Sequence, residues 1–470
     1  QLRTCLTGGA VWIADGAELL LISSVTSAVS EEWSLDGFER SLCVSLVFVG
    51  VFFGNLLSGP LGDTYGRRMP ILTSLFMVFA FSILSALSWN FWSISALRLL
   101  VGVSFGIGQP AYQTLVSETT PTNGRIVMSG IGSCMFPLGE MYSSLLLMIN
   151  DPQMQDLNWR WLLMMGSLPA LVFGLLAWLF LRESPLYLAC CGRPRQDETR
   201  AVLESMRGDN GCAEVSVEFR PPHQALVGDA SAQEALRRQL GVIFGPELLS
   251  TTLILIYSCF VLNFTLYGCL YAFPQVMTEV SFGRSPAMNL LLGSVMELLG
   301  YVFGIFCAIL LERKPVMRLY LGLVIASLAC FAVALPVRNA RWPSQTALYF
   351  GYFGIKFFPS LGFTVIYVYA SEVYPTVART SGTGICLAGG RLASIMAPLV
   401  YEGVVTVTGG RFAIYFKLIL GMSVLNFLLV QLLPFETAGQ LLRDGLEDET
   451  AEGIDGRATD SAGSYGSVRA

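Results

Sequence analysis

The chain has 470 residues, of which 53% are hydrophobic and only 13% charged, a composition too apolar to keep a compact surface in water. Its net charge of −5 points to no polyanionic partner, and nucleic acid is not expected as one. With a single histidine, His223, in a hydrophilic loop, no Ser-His-Asp or metal cluster can be assembled; no phosphate-cradling G-x-x-x-x-G-K-[ST] loop is present either. An enzyme is therefore not expected, nor any cofactor.

In chain order, apolar runs long enough to cross a bilayer as helix fall near 6–29, 40–58, 69–88, 92–116, 126–149 and 161–181, then 248–273, 288–311, 316–336, 344–370, 381–408 and 411–433. The runs are continuous rather than alternating, which predicts helices and not barrel strands. The predicted fold is all-α, with twelve spans in two six-helix bundles, residues 1–181 and 248–433. The loop 182–247 joins them on the cytoplasmic side, and the acidic segment 434–470 reads as a disordered cytoplasmic tail. Basic residues concentrate in the even-numbered loops, with eight arginines in 182–247 plus Arg67, Arg68, Arg125, Arg313, Lys314, Arg318 and Arg379. That asymmetry puts both termini in the cytoplasm. The eleven cysteines show no metal spacing and read as small hydrophobes, with Cys190 and Cys191 placed for palmitoylation.

The halves look like repeats. "SETTPTNGR" at 117–125 and "SEVYPTVAR" at 371–379 share Ser, Glu, Pro-Thr and Arg at the same offsets, so Glu118 aligns with Glu372 and Arg125 with Arg379. Each proline ends its span at the membrane surface, where the flanking charges stay hydrated. Parallel six-span repeats around a midplane site are a carrier architecture.

Charges inside the spans mark that site, because a buried charge in lipid needs a cavity or a partner. Asp15, Glu18, Arg98, Glu140, Glu297, Lys356 and Arg391 qualify. Asp15 and Glu18, three apart on one face, cannot both ionise cheaply, so either one carries a proton or they form fixed pairs with Arg98 or Arg391. Glu140 and Glu297 are alternative proton carriers, and Arg98 is a packing and coupling element. Arg391, after "LAGG", offers a fork for a solute carboxylate or else a salt bridge to Glu140 or Glu297. Tyr112, Gln113, Asn263, Tyr267, Tyr271 and Lys356 are candidates to complete a pocket.

The loop "GPLGDTYGRR" at 59–68 resembles the G-x-L-x-D-x-x-G-R-[RK] signature of the major facilitator superfamily, and "RESPLYL" after the sixth span is similar to its E-S-P-R box, with Leu186 in place of the last Arg. "IADGAELLLISSV" and "SEVYPTVAR" resemble the synaptic-vesicle-protein-related branch, near the organic ion and aromatic acid transporters. The resemblance implies an alternating-access carrier of a small organic solute in a plasma or internal vesicle membrane, acting as a monomer within the bilayer. An organic anion moved with protons is the expected cargo; the alternatives are facilitated transport of a neutral or cationic solute, or a transporter-like scaffold that moves nothing. The resemblance also implies a gate. Asp63, at the cytoplasmic mouth with Gly66 in the same loop, is expected at a helix N-terminus, with Arg67 and Arg68 pairing to Glu118, Glu183 or Glu372, and with Arg125 and Arg379 beside them. The second-half loop, "LLERKPVMR", keeps Glu312 and Arg313 without a glycine, a departure that weighs against a symmetric latch.

Overall fold

The computed structural model describes residues 2–120, 124–190, 196–209, 211, 232–280, 283–335, 344–375, 378–434 and 436–437. Among them every regular element is a helix. The first half runs through α1 (Leu2–Gly8), α2 (Ala10–Trp33), α3 (Gly37–Tyr65), α4 (Arg68–Ala86), α5 (Phe91–Thr119), α6 (Arg125–Ser133), α7 (Met135–Asn150), α8 (Trp159–Gly166) and α9 (Leu168–Phe180). Three short helices follow, α10 (Pro185–Cys190), α11 (Gln196–Asp209) and α12 (Ala232–Ile243). The second half is α13 (Leu249–Glu279), α14 (Pro286–Leu310), α15 (Arg313–Ala334), α16 (Ser344–Val373), α17 (Arg379–Val407) and α18 (Phe412–Val430). His223, Cys191, the Cys190, Arg125 and Arg379 side chains and the segment after Thr437 lie outside the described residues.

Eleven of these helices, counting α1 with α2 and α8 with α9 as single stretches, are long and apolar enough to cross a membrane. The remaining predicted span is α6 and α7, which abut at Cys134. Pro137 explains the interruption: it donates no N–H, and its ring crowds the carbonyl four residues back, at Ser133. Pro169 likewise opens α9 after the break at Ser167.

Lipid cannot drive helices together, so close contact rests on small residues that let backbones approach. In the first half α3 packs along α5, and a Cβ at Gly102 would run into the Val47 carbonyl. In the second half α15 packs on α16, and α13 on α17. The halves meet where α3 touches α17, α7 touches α14 and α2 touches α13. Between those contacts lies the site.

Candidate functional site

Two polar chains cross between the halves near the middle of the spans. In the first, the Gln109 amide of α5 donates to Asp15 Oδ2 of α2 at 2.8 Å, while its oxygen accepts from Arg391 Nη2 of α17 at 3.0 Å. Asp15 is buried and Arg391 half-buried. Tyr267 and Tyr367 lie beside the Arg391 guanidinium. Asn263 faces the Tyr367 hydroxyl at 3.4 Å, and the Tyr267 ring packs edge-on against Phe48 of the first half.

In the second chain, Lys356 of α16 donates from Nζ to Glu140 Oε2 of α7 at 2.8 Å and to Glu297 Oε2 of α14. Ser294 adds a hydrogen bond to the same Glu140 oxygen at 3.0 Å. All three charged groups are buried, Lys356 being 4% exposed and both carboxylates 0%. A third pair stays within the first half: Arg98, fully buried, holds Glu18 Oε2 at 2.7 Å. Four carboxylates thus surround three cations. Asp15, Glu18, Glu140 and Glu297 each keep one buried oxygen with no hydrogen bond to a described residue.

Arg391 therefore pairs with neither Glu140 nor Glu297; Lys356 takes both. Several expected pocket residues lie elsewhere. Gln113 is exposed, and Gln109, one turn earlier on the same side of α5, makes the contacts between the halves instead. Tyr112 is buried nearer the Arg67 end, its hydroxyl 3.3 Å from Cys5 Sγ and its ring against Gly8. Tyr271 sits toward the opposite end, donating to Glu402 Oε1 at 2.7 Å.

Glu402 is gripped there by Arg40, through Nε at 2.9 Å and Nη2 at 2.6 Å. Among the described residues, Arg40–Glu402 and Lys356–Glu140 are the ion pairs that join the two halves. Neither Arg40 nor Glu402 is among the expected site residues. Glu402 lies inside the eleventh predicted span, which was the available signal. Gln109 and Tyr367 are uncharged and carried none.

At the other end the charges tie helices together within each half. Arg67 reaches Glu118 at 3.2 Å and the Gly62 carbonyl at 2.7 Å, and the Arg67 and Arg68 backbone N–H groups donate to Glu183. Glu183, not Asp63, is the anion at the N-terminus of α4, where free N–H groups and the helix dipole favour it. Asp63 lies in the last turn of α3, exposed, 3.3 Å from Arg67. Gly66 has φ of +90°, and a Cβ there would strike the Glu183 carboxylate.

The second half repeats this latch. Arg313 holds Glu372 at 3.3 Å and also donates to the Ala308 carbonyl; the Arg313 and Lys314 N–H groups donate to Glu436 at 2.9 and 3.0 Å. Glu372 is thus engaged in its own half and does not meet Arg67 or Arg68. The missing glycine costs nothing because Glu312, at the position before α15, is extended at φ −65°. None of these pairs crosses between halves, so in this conformation they do not close a gate. No group of three or more His, Cys, Asp or Glu among the described residues could hold a metal ion.

This architecture, two helical halves with buried charges between them, is that of a major facilitator transporter, a multi-pass membrane protein. The family described as "Sugar (and other) transporter" matches residues 21–445, and the chain belongs to it. Arabidopsis thaliana "Organic cation/carnitine transporter 7" is 28% identical, the match covering 95% of this chain and 93% of that one. Rattus norvegicus "Synaptic vesicle 2-related protein" is also 28% identical, over 98% of this chain and 83% of its own length. Among solved structures, the partially occluded inward open xylose transporter XylE of E. coli superposes with a TM-score of 0.73 at 17% identity, covering 94% of this chain and 99% of that one. Family and fold are those of transporters, not enzymes.

Proposed function

We propose that the chain is a secondary active carrier of a small organic anion or aromatic carboxylate, moved with protons by alternating access. Arg391 carries the reading. It is a half-buried guanidinium between the halves, bonded to the uncharged Gln109 amide, with no carboxylate of a described residue within 4.0 Å. A solute carboxylate would give the fork its bidentate match. Tyr267, Tyr367 and Asn263 supply an aromatic wall with a few polar contacts. The excess of one carboxylate over the cations around it leaves a place for one proton at mid-depth, since an uncompensated charge there is costly.

That same excess supports a second reading, in which the carboxylates bind a neutral or cationic solute and no proton moves. A relative named for organic cations and carnitine favours giving it weight. A transporter-like scaffold that moves nothing is the third.

The basic even-numbered loops support cytoplasmic termini, in a plasma or vesicle membrane. On this reading 182–247 is a cytoplasmic linker between bundles 1–181 and 248–433, 434–470 a cytoplasmic tail, and the carrier a monomer. Cross-half ion pairs at mid-depth and at the Arg40 end, with those at the Arg67 end kept inside each half, support a conformation closed toward the outside.

The test is uptake of labelled nicotinate, benzoate, carnitine, choline and glucose into proteoliposomes, with and without an imposed proton gradient. The proposal expects gradient-driven uptake of nicotinate or benzoate that Arg391→Ala abolishes. Gradient-independent uptake of choline or glucose alone would establish the second reading, and no uptake by folded protein the third.

A further inference from the structure

We propose that Glu140 is the carboxylate whose protonation frees the two halves from each other at mid-depth, with Lys356 as the tether it releases. The inference rests on the proton-coupled, alternating-access reading above but not on its choice of solute. It comes from an asymmetry in the Glu140–Lys356–Glu297 cluster. Lys356 on α16 and Glu297 on α14 belong to the second half, whereas Glu140 on α7 belongs to the first. When the halves separate here, Lys356 keeps Glu297 and remains compensated. Glu140 is left with no cation.

Taking away one partner of a buried pair is strongly destabilising, because the charge left behind is uncompensated. The groups facing Glu140 offer no replacement. From α14 come Ser294, Glu297 and Tyr301, and from α16 Tyr352 and Lys356, so Lys356 is the cation among them. α2 packs on α7 through Ile13, Gly16 and Ala17, and its acids Asp15 and Glu18 turn instead to Gln109 and Arg98 of α5. Toward α8 the charged group is Arg160, which is paired with Glu32. Separation therefore requires a proton from water on a Glu140 oxygen, and Glu140 Oε1 is unpartnered to receive it. Lys356 keeps its own proton throughout. Read in reverse, protonating Glu140 cancels its attraction for the ammonium and lets α7 move off α14 and the Lys356 side chain.

The helical rise puts Glu140 about 15 Å from the far end of α7, on the side of the molecule where Arg40 and Glu402 also join the halves. Acid should accordingly open the Arg40 end. The test needs no solute. Nitroxides are attached through a ketone-bearing amino acid at Leu87 and Val407, exposed residues at that end of each half. Distance distributions are then recorded for the full chain in lipid nanodiscs at about pH 8 and about pH 5, the span over which folded proteins are ordinarily stable.

Acidification is expected to shift the unsubstituted protein toward longer Leu87–Val407 distances. Glu140→Gln should give the longer distances at both pH values, and Glu140→Asp, still titratable, should restore the response. Glu297→Gln leaves Glu140 titratable but takes from Lys356 the carboxylate it keeps on separation, so it should weaken the response without abolishing it. A Glu140→Gln protein that responds to pH as the unsubstituted one does would overturn the proposal, as would an unsubstituted protein with no response. If Glu140→Gln does not fold, Lys356→Met must abolish the response, and its persistence overturns the idea equally. Failed carboxylate uptake would leave this result standing, and a failure here would leave the solute assignment untouched.

Discussion

Arg40 grips both carboxylate oxygens of Glu402, at 2.9 and 2.6 Å, across 362 positions of sequence, and so clamps α3 of one half to α17 of the other. Tyr271 donates to the same carboxylate. Glu402→Gln removes one charge of a mostly buried pair, a loss of about 3 kcal/mol, or roughly a hundredfold in the closed-to-open ratio. The Leu87–Val407 distance should lengthen at neutral pH; an unchanged distribution would mean that the clamp holds nothing.

Gln109 and Gln113, four residues apart on α5, should behave as opposites in carboxylate transport. Gln109→Ala cuts the hydrogen-bonded bridge between Asp15 and Arg391 and should lower nicotinate or benzoate uptake roughly tenfold to a hundredfold, the range for a hydrogen bond to a charged group. Gln113→Ala, at an exposed position, should stay within about twofold. Equal effects would show that the Gln109 bridge does not matter to the site.

The two latches predict additive losses. Glu118→Gln and Glu372→Gln each remove a charge-assisted contact to a partly buried arginine, at about 1 to 2 kcal/mol. The contacts share no partner, so the double substitution should equal their sum to within about 0.5 kcal/mol. Thermal unfolding in detergent measures both; strong non-additivity would mean that the halves communicate through this end.

Gly102→Leu tests the α3–α5 seam. Its side chain would have to displace the Val47 carbonyl, and overpacking of this kind costs about 1 to 3 kcal/mol. A markedly lower melting temperature with monodisperse protein is the expected outcome, and an unchanged one would place the seam further apart than described.

Much of the fold is legible in the residues because lipid imposes one rule: a long apolar run must be a helix. Even the break within the fifth span is foreshadowed by Pro137. Facing is harder to read. Both sides of a span are apolar, so no period tells Gln109 from Gln113, and Pro110 between them interrupts the helix hydrogen bonding. The mid-span charges stand out singly, but their partners come from helices hundreds of residues away, so Lys356 could not be matched to Glu140 and Glu297 in advance. The second latch is hidden for a different reason. Its logic resides in the offset of Arg313 from its own helix start and in a glutamate far down the chain, not in the glycines that make the first copy conspicuous.

Glu183 and Glu436 each stand just past the final span of a half and dock on the opening turn of its third span. Thr437 Oγ1 adds a bond of 2.7 Å to Glu372. Hydrogen bonds thereby join tail to body and make each half a closed hoop, a lever that turns without uncoiling. A chain shortened to Leu433 would keep the Lys314 bond to the Leu433 carbonyl but lose those of Glu436 and Thr437, loosening one hoop and leaving the other intact, a lopsided protein with one stiff arm and one slacker.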